Sequence, residues 1–172
     1  MPVQAIKGYK QKFNAFRFIW HDDWETLHGQ GLAEKLKDFY EDGDTFIHLM
    51  CHKDGGIKGR FGFFAPENAA VPEGFSYIDF PKVDLVIGWL RGKEKDIYGN
   101  EPMALDKINE EADATILTTD WWFERESPKR WPLDENGDSI LDIGFFALPA
   151  ESEKEATLEE TNRQLEELIK SF

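Results

Sequence analysis

The chain is poor in sulfur, in basic residues and in long apolar runs. One cysteine, Cys51, stands with three methionines and four histidines in 172 residues. A lone thiol closes no internal disulfide, so the fold has to rest on a hydrophobic core. A single domain of this length buries roughly 70% of the surface of its unfolded chain and needs no staple. No apolar stretch approaches the about 20 residues of a membrane-spanning helix, and a membrane partner is not expected. Met1-Pro2-Val3-Gln4 lacks the basic and apolar regions of a secretory signal, so a cytoplasmic location is expected. Twenty Lys and Arg stand against thirty-four Asp and Glu, a formal charge of −14. That balance repels phosphate backbones, and strand-like sequence from near Phe13 leaves no room for a helix-turn-helix, so direct nucleic-acid binding is not expected. Acidity of this degree serves solubility and supports a cationic ligand only weakly. Nucleophile elbow, phosphate loop and paired metal-ligand motif are also missing. Cys51 lies between His48 and His52, but the alternation from Phe46 to His52 reads as a half-buried strand before it reads as a metal site. Neither metal nor cofactor is expected.

Aromatic residues are abundant, and they crowd one carboxylate. In the segment Trp122-Phe123-Glu124-Arg125-Glu126 and on to Trp131, Glu124 is set among Trp121, Trp122, Phe123 and Trp131. As a strand, this segment puts Glu124 on the same face as Trp122 and Asp120, with Trp121 on the other. A carboxylate beside an indole either binds organic cations or holds a carboxyl tuned for acid–base work. The alternative is a surface Glu paired with Arg125, Lys129 or Arg130, which on the pattern alone is the commoner fate of a strand carboxylate.

Residues 13–20 (FNAFRFIW) read as a strand. Asp22-Asp23-Trp24-Glu25 then supplies an N-cap, opening a helix through Leu27, Leu32, Leu36, Phe39 and Tyr40 that Gly43-Asp44 ends. Strands over 45–51 and 57–65 are joined at Lys53-Asp54-Gly55-Gly56, a hairpin signature. A second round of the same order follows: extended segments over 75–90 interrupted at Pro81, a helix over 106–112, and strands over 115–125 and 140–148. The expected fold is α+β, a duplicated βαββ module over 1–150. From Glu151 the composition turns to Glu, Lys, Thr and Leu. Thr157 and Glu160 have the spacing of a capping box, and Leu158, Leu165, Leu168, Ile169 and Phe172 share a stripe. An amphipathic helix over 151–172 is expected to pack on its own domain or to pair with a second subunit.

Three stretches in this order, RFGFFAPENAAVPEGFSYIDFP at 60–81, IGWLRGKE at 87–94 and WFERESPKRWPLDENGDSILDIGFFALP at 122–149, resemble the GyrI-like small-molecule-binding domain. This is the effector-binding domain of many AraC- and MerR-class regulators, also found alone. The resemblance runs from about Ile57 to Pro149. It implies antiparallel curved sheets forming a ligand groove with helices outside, and a groove Glu that contacts lipophilic cations, at the position of Glu124. Trp122 by strand parity, and Trp20, Trp89, Phe61, Phe63, Tyr77 and Trp131 by their segments, are the candidate groove walls, though each alone also fits core packing. Where the family has Pro-Ala-Gly-Lys-Tyr, this chain has Pro81-Lys82-Val83-Asp84-Leu85, so the family phenol is absent.

Two functions of different class follow from the resemblance. One is a free-standing sensor or sequestering protein for small organic molecules, with Glu124 as polar anchor. The other resembles standalone family members that hydrolyse cyclopropanoid toxins, with Glu124 as general base and Tyr77 or Tyr98 supplying the phenol. A third and weaker reading, from the family name, is a protein partner of DNA gyrase.

Overall fold

The computed structural model describes residues 2–11, 16–29, 46–131, 134–149 and 154–170. Eight strands form one antiparallel sheet: β1 (Gln4–Gln11), β2 (Phe16–Trp20), β3 (Phe46–Lys53), β4 (Gly56–Pro66), β5 (Ser76–Phe80), β6 (Asp84–Gly92), β7 (Trp121–Glu126) and β8 (Ser139–Ala147). Among the described residues four helices accompany it: α1 (Trp24–Gly29), α2 (Glu94–Ile97), α3 (Glu101–Glu111) and α4 (Lys154–Lys170). The sheet is curved and does not close, with strand order β1-β6-β8-β7-β3-β4-β2-β5. From the central β7–β3 pair outward, both halves repeat one pattern. The module β2-α1-β3-β4 places its strands as β3, β4, β2, and β6-α2-α3-β7-β8 places its own as β7, β8, β6. The duplicated βαββ order is therefore realised.

The two edge strands are exchanged between these halves. β1, which leads into the first module, pairs with β6 of the second, from Gln4↔Arg91 to Gln11↔Leu85. β5, which leads into the second, pairs with β2 of the first, from Phe16↔Phe80 to Trp20↔Ser76. β1 is the element that sequence reading left out, because Gln-Ala-Ile-Lys-Gly-Tyr-Lys-Gln shows neither a clear apolar alternation nor β-branched enrichment.

Period-two alternation sorts the strands onto two faces. Phe18, Leu49, Phe64, Leu85, Trp121, Phe123 and Phe146 belong to one core cluster, which Leu165 and Leu168 of α4 join from their side. The C-terminal helix thus packs on its own chain, against β5 among other elements. It begins at Lys154, so Thr157 is an interior residue and not a cap; its carbonyl accepts the Thr161 hydroxyl at 2.7 Å. Ile169 and Phe172 lie outside the described side chains.

The opposite face carries α1 on one half and α3 on the other. Leu27 of α1 packs with Ile19, Phe63 and Ala65. Ala104 and Ile108 of α3 pack with Val86, Leu141, Ile143, Phe145 and Trp122. α3 lies directly on the strand backbone, because a Cβ on Gly88 would stand 2.8 Å from the Ala104 methyl and carbonyl oxygen. Asp23 caps α1 by accepting the Thr26 N–H at 2.9 Å. Leu32, Leu36, Phe39 and Tyr40 of the expected longer helix lie outside the described residues. Among the described residues, no helix is long and apolar enough to cross a membrane.

Candidate functional site

The β3–β4 hairpin fixes the register of the central strands. Asp54 (φ 52°) and Gly55 (φ 76°) both take positive φ, the two-residue turn whose twist matches the flanking strands. His48 is thereby placed opposite Phe61, and the antiparallel β3–β7 pairing places it opposite Glu124 on its other side and Phe46 opposite Glu126. These residues share the face that carries α1 and α3. The expected parity of β7 holds: Glu124 and Trp122 lie on that face, and Trp121 joins the core of the other. β7 is flanked by β3 and β8, so Glu124 sits mid-sheet and not on an edge.

Phe46, His48, Phe61, Tyr98, Glu124 and Glu126 line a recess of about 220 Å³. The Phe61 ring stacks on the His48 imidazole with centroids 3.9 Å apart and on Phe46 at 5.5 Å. Phe61 remains 39% exposed, so this stack presents an aromatic edge to the recess. The Glu124 side chain is 13% exposed, and His48 Nδ1 stands 3.8 Å from its Oε2, an ion-pair distance outside hydrogen-bond range. Tyr98, from the turn after α2, donates its hydroxyl to Glu126 Oε1 at 2.9 Å. Its phenol is held well above the ordinary tyrosine value, first by loss of hydration, then by the hydrogen bond to Glu126 and by the negative charge of Glu126, Glu124 and Glu94. Two carboxylates, a neutral phenol and a stacked aromatic pair make a lining that favours a positive organic group.

Beside it, across the turn at Tyr98-Gly99, a larger recess of about 330 Å³ opens between the hairpin, the start of α3 and β7–β8. Trp122, Phe145, Ile57, Leu105 and Thr119 are among its walls.

The other expected wall residues are dispersed. Phe63 shares the face of Phe61 but is 1% exposed, in the α1 cluster. Tyr77, on β5, has Arg17 over its ring at 4.1 Å. Four strand spacings separate β5 from β7, about 19 Å, so Tyr77 cannot assist Glu124, whereas Tyr98 lines the same recess. Trp20 and Trp89 lie on the opposite face, within or against the core cluster there. Trp131 packs near Tyr98, with ring centroids 5.9 Å apart. His48 and His52 face the recesses, and Cys51 is buried on the other side of the sheet.

Arg125 and Arg130, considered from sequence as partners of Glu124, turn instead to Asp142. Arg125 Nε donates to Asp142 Oδ2 at 2.8 Å and Arg130 Nε to Oδ1 at 2.9 Å. Asp142 is fully buried and Arg125 2% exposed. This cluster was missed because nothing local marks Asp142 among Leu141, Ile143 and Gly144 as the partner of an arginine 17 residues earlier; the β7–β8 register Arg125↔Asp142 creates it.

No family model matches the chain, and no curated protein matches it in sequence. Among solved structures it is similar to a Staphylococcus aureus protein assigned to bacterial transcription regulation, with 11% identity, a TM-score of 0.48, and coverage of 84% of this chain and 99% of that one. It is also similar to an integron cassette protein of Vibrio cholerae, with 10% identity, a TM-score of 0.37, and coverage of 86% and 99%. Likeness of this degree carries no argument about activity.

Proposed function

We propose that the protein is a small-molecule-binding protein of the GyrI-like type, and that it takes an organic cation at Glu124. The observation that carries this reading is the Glu124 carboxylate itself: largely buried, beside Glu126 and the stacked Phe61, and with no hydrogen-bond donor on it among the described residues. A half-buried carboxylate that accepts no hydrogen bond from the described residues is free to meet a bound cation, which supplies charge and, through the aromatic edge, cation–π attraction. The protein would act as a sensor or sequestering protein, with the small molecule and no nucleic acid as its direct partner.

The test is titration of quaternary ammonium probes into wild type and Glu124→Gln. The variant keeps the size and removes the charge, so binding should weaken by about 1–4 kcal/mol, the Coulomb attraction between a carboxylate and a cation about 4 Å away at a partly screened site, with the fold intact. Equal affinities in the two proteins would overturn the assignment.

A second reading has one observation in its favour. Tyr98 supplies a phenol in the recess of Glu124, as a hydrolase of cyclopropanoid compounds would need in place of the family's tyrosine. Glu124 would then activate water as general base. Mass spectrometry of such a compound after incubation separates the readings, because a sensor returns it unchanged and a hydrolase returns the ring-opened product of added water.

A further inference from the structure

We infer that His48 is a proton-controlled counter-ion of Glu124, so that acidification closes the carboxylate to cations and releases a bound one. The inference rests on the cation site proposed above and concerns its regulation. His48 reaches Glu124 through register: they are paired residues of the neighbouring strands β3 and β7, with Nδ1 and Oε2 3.8 Å apart. A shift of about 1 Å brings the two into hydrogen-bond range. The imidazole is held for that approach from β4. It lies on the Phe61 ring, 13° from parallel, with centroids 3.9 Å apart. Its Nε2 end covers Gly59, where a Cβ would stand 2.5 Å from Nε2, so a side chain at that position would displace the ring.

A protonated His48 reproduces the head group that the site would take from solution. It is an organic cation beside the Glu124 carboxylate and against an aromatic face. The imidazolium and an external cation then compete for one carboxylate, whereas the neutral imidazole leaves that carboxylate to the ligand. The other groups around the ring do not disturb this pairing. Phe46 on its own strand, and Phe61 and Gly59 on β4, carry no charge. Lys58 and Arg60 pair with Cys51 and Leu49, and so alternate to the other face of the sheet. Glu126 of β7 also lines the recess, but it accepts the Tyr98 hydroxyl at 2.9 Å. Tyr98 keeps its proton throughout the range in which imidazoles titrate, because its phenol is held above the ordinary tyrosine value. The other imidazole of the strand, His52, packs on Trp122 at 4.8 Å and stands about 13 Å along β3. Among the described residues, Glu124 is therefore the one carboxylate at ion-pair distance from His48, and the imidazole is open enough to solvent to exchange its proton.

Tetramethylammonium is the probe, because it has no titratable group of its own. It is titrated at about pH 8.5 and about pH 5.5, on either side of imidazole titration, into wild type, Glu124→Gln, His48→Gln, His48→Asn and His52→Gln. Wild type should bind it roughly tenfold or more weakly at the lower pH, the effect of one added charge at a partly screened site. His48→Gln and His48→Asn should bring that ratio to within about twofold, whatever their affinity at the higher pH, while His52→Gln should keep the wild-type ratio. At about pH 6.5, calorimetry in two buffers of different ionisation heat should show wild type releasing protons as the cation binds and His48→Gln releasing none. If the His48 variants keep both the wild-type ratio and the proton release, the proton sits on a carboxylate, and the His48 gate is wrong while the Glu124 reading stands. A wild-type ratio near one overturns the gate in the same way. If Glu124→Gln binds as well as wild type at the higher pH, the Glu124 reading fails and the gate falls with it.

Discussion

Asp142 and Tyr98 show what individual side chains contribute here. Asp142 neutralises one of two guanidinium groups that it holds out of water, and the remaining hydrogen bonds of Arg125 run to Gln11 Oε1 at 3.3 Å and Tyr9 Oη at 3.4 Å. Removing one partner of a buried ion pair leaves an uncompensated charge, so Asp142→Ala should cost about 3–5 kcal/mol in a denaturant titration. A change under about 1 kcal/mol would mean that water reaches the arginines. Tyr98 carries a pH dependence of definite sign. Its proton is held more tightly in the folded protein than in the unfolded chain, so its contribution is complete below the free tyrosine value near 10. That contribution is lost as pH rises from there through the folded-state value. Tyr98→Phe should remove one late step from the tyrosinate absorbance titration and flatten the alkaline arm of the stability curve. An unchanged titration would place its hydroxyl in solvent.

Among the elements, the hairpin and the apolar stripe of the C-terminal helix were legible in the sequence; α3, expected over 106–112, runs over Glu101–Glu111, β7, expected from 115, begins at Trp121, and the edges were not legible. Asp54-Gly55 has one favoured turn, and the apolar set Ile47, Leu49 and Cys51 at every second position leaves one register compatible with a buried face. The same reasoning placed Glu124 and Trp122 together. It did not show that Trp122 is as buried as Trp121, since a central strand with both faces covered carries apolar residues at every position. Nor could it divide Trp20 and Trp89 from Phe61, because their faces depend on pairings far apart in the chain. α3 shows how closely elements approach when glycine permits. Gly88→Leu would drive a side chain into the Ala104 backbone and should destabilise the protein by about 1–3 kcal/mol or abolish its folding. Thermal melts within a few tenths of a kcal/mol of wild type would show that α3 can lift off the sheet.

For the molecule as a whole, duplication and strand exchange act together. The repeated module gives each half a helix-covered face, yet each half closes its outer edge with the strand that leads into the other. A half alone therefore exposes one unpaired edge and lacks one strand, so neither should fold by itself. Separate chains 1–70 and 71–172, a cut that parts β5 from β2 and β1 from β6, should each show poorly dispersed spectra and should regain the native pattern when mixed or co-expressed. A well-dispersed spectrum from 1–70 alone would show that the first half folds without β5 on the edge of β2. Element order was readable from sequence, but this exchange was not, because order along a chain does not specify which half a leading strand joins.

The exchange also sets a schedule during synthesis. β1 is made first, yet its partner β6, which meets Gln4 through Arg91 and Gln11 through Leu85, is translated roughly 80 residues later. At ~5–20 residues per second this is a wait of about 4–16 s, far longer than a hairpin such as β3–β4 takes to form. For that interval β1 is a loose strand beside its ribosome, open to pairing with a neighbouring nascent chain. Lys7, Gly8 and Lys10 along it make a poor template for such pairing, which gives a reason for the weak strand character of the segment that sequence reading passed over.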